Sequence, residues 1–202
     1  MSNAAEEGPT KRELVRERLL KSLPKGGKVA EIGVWEGMFS RRIIEICEPV
    51  ELHLIDPWLY MPEFANTGFG RKKNEHLMDV KYQDVVAHFK DDKRVHIHRA
   101  TSEVALAKLK DGSLDWVYID GNHNEPFIGN DLALCLQKVK HDGIIAGDDF
   151  NWMSDAQGAP VKRAVEALLA ELGDQAKLSL MANQYVIKLN RPAPKAKGGK
   201  KA

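Results

Sequence analysis

KVAEIGVWEGMFSRRIIEIC, Lys28 to Cys47, is the stretch on which the reading of this chain turns. Lys28 to Val34 is a short apolar-rich run, Gly33 and Gly37 bracket a turn, and Met38 to Cys47 carries apolar side chains at helical spacing. The order is strand, turn, helix. Outward from it the unit recurs. VELHLID (50–56), RVHIHRA (94–100), LDWVYID (114–120) and GIIAGDD (143–149) read as strands. Helices are predicted within 74–90, over 103–110, over 127–140 and from about Pro160. Five strands alternating with helices predict a parallel sheet covered on both faces. Upstream, Leu14, Val15, Leu19, Leu20 and Leu23 give residues 10–23 the spacing of a lead-in helix, which Pro24, Gly26 and Gly27 end. Downstream, KLSLMA (177–182) and QYVIKL (184–189) are separated by Asn183 alone. So short a link holds no crossover helix, so the two runs are predicted to form an antiparallel hairpin, which brings the strands to seven.

Composition bounds the rest. A chain of 202 residues with 43% hydrophobic side chains suits one domain with a real core, and 29% charged residues argue against a mainly disordered chain. Its longest apolar run, Leu132 to Leu136, is far below the roughly 20 residues needed to cross a bilayer. The N-terminal MSNAAEEGPTKRE has no basic patch followed by an apolar stretch, so no secretory signal is read and the cytoplasm is the expected location. Cys47 and Cys135 lie far apart in helical segments, with no paired spacing, and read as small core residues. The expected organisation is a lead-in segment and helix over 1–24, a domain over 25–190 and a disordered basic tail over 191–202. That tail, RPAPKAKGGKKA, holds five basic residues and no acid; without it, 25 basic face 29 acidic side chains, a net charge of −4. A mildly acidic body argues against a nucleic-acid reader. The lead-in helix and the hairpin edge are the surfaces on which a homodimer would form.

In open parallel sheets ligands bind beyond the carboxyl ends of the strands. Residues expected there are Glu31, Gly33, Trp35 and Gly37 from the first strand and its turn, and Asp56 from the end of the second. Thr101 and Ser102 follow the third, Asp120 ends the fourth, and Asp148 and Asp149 end the fifth. One at a time such residues also cap helices; the set concentrates carboxylates on one edge. The Gly33–Gly37 turn allows close backbone approach at a helix N-terminus, where free N–H groups favour anionic groups. Asp56 stands 19 residues after Gly37, close to the roughly 20 at which an acidic side chain meets ribose hydroxyls. A nicotinamide dehydrogenase would place a second glycine where the pyrophosphate passes; Trp35 occupies that region here.

EIGVWEG, LIDPW, DWVYIDGNH and GIIAGDD together resemble a class I S-adenosylmethionine-dependent methyltransferase, and most of all the small group whose fourth strand ends in Asp-Gly-x-His. The resemblance spans about residues 25 to 190. It implies a Rossmann-like α/β fold with a mostly parallel seven-stranded sheet, helices on both faces and a C-terminal antiparallel hairpin. It also implies that Glu31, Gly33 and Gly37 wall the methionine part of S-adenosylmethionine, with Trp35 where relatives often carry glycine. Asp56 would hold the ribose, Trp58 would pack on the nucleoside, Thr101 and Ser102 would border the adenine, and Asp120 would reach both cofactor and acceptor.

Asp120, Asp148 and Asp149, from neighbouring strand ends, would repel one another unless cations or protons intervene, and an oxygen-only set suits Mg2+ or Mn2+. Similarity to metal-dependent O-methyltransferases implies the same ligands. His123, where catechol-type enzymes carry a lysine, is the implied general base; its ordinary pKa near 6.5 suits that task. The expected activity is O-methylation of a small polyhydroxylated or phenolic acceptor with a divalent metal. The alternatives are metal-independent N- or C-methylation, and a nucleoside-binding protein without catalysis. The loop 57–71 with Tyr60, Phe64 and Phe69, and the segment 151–159, are expected to frame the acceptor.

Overall fold

The computed structural model describes residues 8–154 and 156–193. Most of the expected basic tail (194–202) lies outside the described residues. Seven strands, β1 (Lys28–Ile32), β2 (Glu51–Asp56), β3 (Val95–Arg99), β4 (Leu114–Ile119), β5 (Val139–Gly147), β6 (Ala176–Met181) and β7 (Gln184–Leu189), form one sheet in the order β3-β2-β1-β4-β5-β7-β6. β1 to β5 pair in parallel, β5 with β7 and β7 with β6 antiparallel. The six α-helices are α1 (Lys11–Ser22), α2 (Met38–Cys47), α3 (Leu77–Phe89), α4 (Ser102–Leu106), α5 (Phe127–Lys138) and α6 (Pro160–Leu172). Among the described residues no helix is long and apolar enough to cross a membrane.

The pleat sorts the core. Ala30 and Ile32, Val117 and Ile119, Ile145, and Tyr185 and Ile187 face α4, α5 and α6, whereas Val29, Trp116 and Tyr118, Ile144 and Ala146, and Val186 face α1, α2 and α3. The lead-in helix is part of this packing. Thr10 and Glu13 close a capping box at its start, and Leu19, Leu20 and Leu23 are buried with Ile43 and Cys47 of α2. α1 therefore has a fixed position against the sheet.

Two elements differ from the sequence reading. α4 stops at Leu106 because the chain turns there, Leu109 N–H donating to Leu106 O at 3.0 Å and Lys138 Nζ taking Leu109 O at 3.1 Å. β5 begins at Val139, directly from α5, with a register shift opposite Leu114 to Trp116. The loop 57–71 includes a 3₁₀ turn, Pro62–Phe64, and Phe64 meets Phe127 of α5 edge-on at 5.4 Å. That contact brings the loop over the strand ends.

Candidate functional site at the carboxyl edge of the sheet

A cavity of about 600 Å³ opens at the carboxyl ends of β1, β2, β4 and β5. Of the residues expected there, Glu31, Gly33, Trp35, Asp56, Thr101, Ser102, Asp120, His123 and Asp149 line it.

Glu31 lies on the face covered by α2, 1% exposed, and accepts a hydrogen bond from Ser40 Oγ. Burial pushes its carboxyl up to about 8. Gly33 has φ 88° and its N–H donates to Ile55 O at 2.9 Å. A Cβ there would lie 2.1 Å from the Asp120 carbonyl oxygen, so glycine is what lets the turns after β1 and β4 meet. Asp56 accepts Val34 and Trp35 N–H at 3.0 Å each and Trp58 N–H at 2.7 Å. Its carboxylate ties the turn after β1 to the loop after β2; burial raises its pKa against the pull of these donors. The Trp35 indole lines one wall, beneath Lys81 Nζ at 4.3 Å and against Gly68.

Three expected site residues lie away from the cavity. Trp58 is 2% exposed, its Nε1 donating to Trp35 O at 2.8 Å and its ring 5.2 Å from Tyr82. It supports the turn from behind. Gly37, at φ 72°, caps α2 and backs onto Val85 and Phe89 of α3. Asp148 is buried with both oxygens engaged. Its Oδ1 accepts from Gln184 Nε2 and from Asp149 N–H, and its Oδ2 from Arg12 and Arg16.

Those two arginines are the residues that the sequence reading missed. One helical turn apart on α1, they reach the strand ends together. Arg12 Nη2 lies 2.6 Å from Asp148, 3.6 Å from Asp149 and 3.9 Å from Asp120, while Arg16 bridges Asp120 and Asp148. Burial works against the Arg16 charge, but Asp120 and Asp148 hold its pKa above the ordinary value. Asp131 was missed too. It takes the Ser102 hydroxyl, and burial pushes it up to about 6. The i, i+4 spacing of Arg12 and Arg16 was visible; the sheet edge they would meet was not.

His123 Nε2 stands 3.2 Å from Asp149 Oδ2 and 3.5 Å from Asp120 Oδ1, and the Trp152 ring lies 5.9 Å from the imidazole. Burial opposes its charge, yet the two carboxylates raise its pKa to about 9. Asp149, despite burial, is held below its usual range by His123.

The expected ligand set Asp120, Asp148 and Asp149 does not fit a divalent ion, because Asp148 has no oxygen left to offer. Asp120, His123 and Asp149 do bring one donor atom each within 4.8 Å of one another. Those donors already face two guanidiniums. Their negative charge is thus already balanced by cations of the chain itself. The mutual repulsion of the three aspartates is relieved by Arg12, Arg16 and His123.

A family model described as a methyltransferase domain matches residues 30–150. Among curated proteins no sequence matches. Solved structures that share the fold include the following three. The O-methyltransferase NovP is 18% identical over 89% of this chain and 78% of its own, with a TM-score of 0.59. A Staphylococcus aureus protein provisionally described as a caffeoyl-CoA O-methyltransferase is 14% identical over 90% and 85%, with a TM-score of 0.62. A Streptococcus mutans protein provisionally described as a methyltransferase and solved with S-adenosylhomocysteine is 12% identical over 90% and 98%, with a TM-score of 0.58.

Proposed function

Because this chain belongs to the family of methyltransferase domains, we propose that it uses S-adenosylmethionine to methylate an oxygen of a small hydroxylated acceptor, and does so without a divalent metal. The observation that carries this reading is the single cavity shared by buried Glu31, Asp56 and the Asp120–His123–Asp149 cluster. The cavity has a cofactor-sized volume, a carboxyl on its floor suited to an ammonium group, and a carboxylate at the end of β2 suited to a hydroxyl pair.

Glu31 would face the methionine amino group, Asp56 the ribose, and Thr101 and Ser102 the base. Bound S-adenosylmethionine supplies a sulfonium-activated methyl group, which passes to the acceptor oxygen as the C–S bond breaks and its electron pair stays on sulfur. The chain's own residues orient the acceptor and take its proton. His123, in its neutral form, accepts the hydroxyl proton as the O–C bond forms. Phe127 and Trp152 would line the acceptor end. A base held near 9 is mostly protonated at neutral pH, so methyl transfer is expected to accelerate as pH rises towards about 9, where the neutral imidazole becomes the majority form.

Calorimetry with S-adenosylmethionine and S-adenosylhomocysteine tests the cofactor. In the free protein Glu31 is protonated below about pH 8. An ammonium beside it favours the carboxylate, so binding at neutral pH is expected to release a proton and affinity to rise as pH approaches 8. Titrations in buffers of different ionisation enthalpy read that release directly, and Glu31→Gln is expected to remove it. Failure of both ligands to bind would favour a protein outside methyl transfer. Binding with transfer to nitrogen or carbon acceptors would favour the other enzyme class.

A further inference from the structure

The strand-end carboxylates are met by cations that belong to the chain itself. Arg12 and Arg16 are carried on α1, whose Leu19, Leu20 and C-cap Leu23 are buried. Both line the cavity. Each donates through Nε and Nη2 to Asp148 Oδ2, and Arg16 also to Asp120; among the described residues the Nη1 of each has no hydrogen-bond acceptor. Asp148 is itself anchored from the hairpin, since Tyr118 OH donates to Gln184 Oε1 at 2.6 Å and Gln184 donates to Asp148. The two guanidiniums are therefore held by a packed helix on one side and a buried polar chain on the other.

We propose that Arg12 and Arg16 are the built-in cation of the acceptor site, doing the electrostatic work of a divalent ion by neutralising Asp120, Asp148 and Asp149 and turning their Nη1 donors to the acceptor oxygen as it becomes anionic. The proposal rests on the methyltransferase reading of the cavity. A guanidinium stays charged across the working pH range and presents its donors in a fixed plane, so it meets a developing oxyanion without solvent reorganisation. The consequence is reciprocal. While the arginines are present a divalent ion is excluded, and without them the remaining cluster of Asp120, His123 and Asp149 becomes a cation site.

Mn2+ binding, followed by calorimetry and by loss of the free-ion electron paramagnetic signal, tests this on the full chain. Wild type is expected to leave millimolar Mn2+ free, and the double variant Arg12→Gln, Arg16→Gln to bind it at least about tenfold more tightly. Adding Asp120→Asn should remove the gain. Replacing both arginines by lysine should keep Mn2+ out, because the charge is kept. Should the double variant fold poorly by circular dichroism, Arg12→Gln alone carries the test, since that side chain is 56% exposed; its affinity must exceed that of wild type. A wild type that binds Mn2+ tightly, or a folded arginine variant that gains none, overturns the proposal. Binding of S-adenosylhomocysteine is measured on wild type alone, where its absence marks failure of the methyltransferase reading instead.

Discussion

Gly33→Ala is expected to lose S-adenosylhomocysteine binding and about 3 kcal/mol or more of folding stability. Two costs coincide at this position. At φ 88° an L side chain is strained, and the new Cβ would lie 2.1 Å from the Asp120 carbonyl oxygen and 2.7 Å from the Gly121 nitrogen, both backbone atoms that no side-chain rotation can move. The turns after β1 and β4 would separate. The Asp120 N–H to Ile32 O bond, 2.7 Å long, would open with them, and Asp120 and His123 would leave their places. Gly26→Ala is the control. Its φ is 70°, but nothing lies within 4 Å of the added carbon, so only conformational strain of about 1–2 kcal/mol is expected there, with ligand binding kept. Urea denaturation and calorimetry of the two variants separate close approach from strain, and a Gly33→Ala protein as stable as Gly26→Ala would contradict the geometry.

Asp148→Ala is expected to destabilise the fold by about 3 kcal/mol, the lower end of the range for breaking a buried ion pair. The removed carboxylate accepts from two guanidiniums, the Gln184 amide and the Asp149 N–H. Arg12, more than half exposed, can turn into water, and Arg16 keeps Asp120, which limits the loss. The amide of Gln184 and the mostly buried Arg16 cannot escape so easily. Equilibrium denaturation in urea measures the difference; a change within about 0.5 kcal/mol is what a solvated helix cap would give, and it would contradict this role.

Much of the fold was legible because each strand of the sheet carries its own signal. Val117 and Ile119 alternate with Trp116 and Tyr118, and the single residue between KLSLMA and QYVIKL leaves no room for anything but a hairpin. Strand ends in such a sheet converge on one edge, so Glu31, Asp56, Asp120 and Asp149 could be placed at the cavity from order alone. What could not be read were partners distant in the chain. Nothing near Asp148 announces Gln184 or the α1 arginines, and with them the residue passes from open ligand to buried counter-ion. Trp58 looked like a nucleoside platform beside Asp56, yet its indole N–H is taken by the Trp35 carbonyl beneath the turn. The charge conflict at the strand ends was correctly foreseen; its resolution by Arg12 and Arg16 depended on where α1 docks, which helical spacing alone leaves open.

On the reading proposed above, this sheet edge receives an adenosyl thioether with its sulfur turned towards the cluster of Asp120, His123 and Asp149. A crystal structure of the full chain with S-adenosylhomocysteine tests it most directly. The amino acid moiety is expected over Glu31, the ribose at Asp56, the base near Ser102 and the sulfur facing Asp120. A nucleoside bound elsewhere, or one kept away from Asp56 by the Trp35 indole, would overturn this reading.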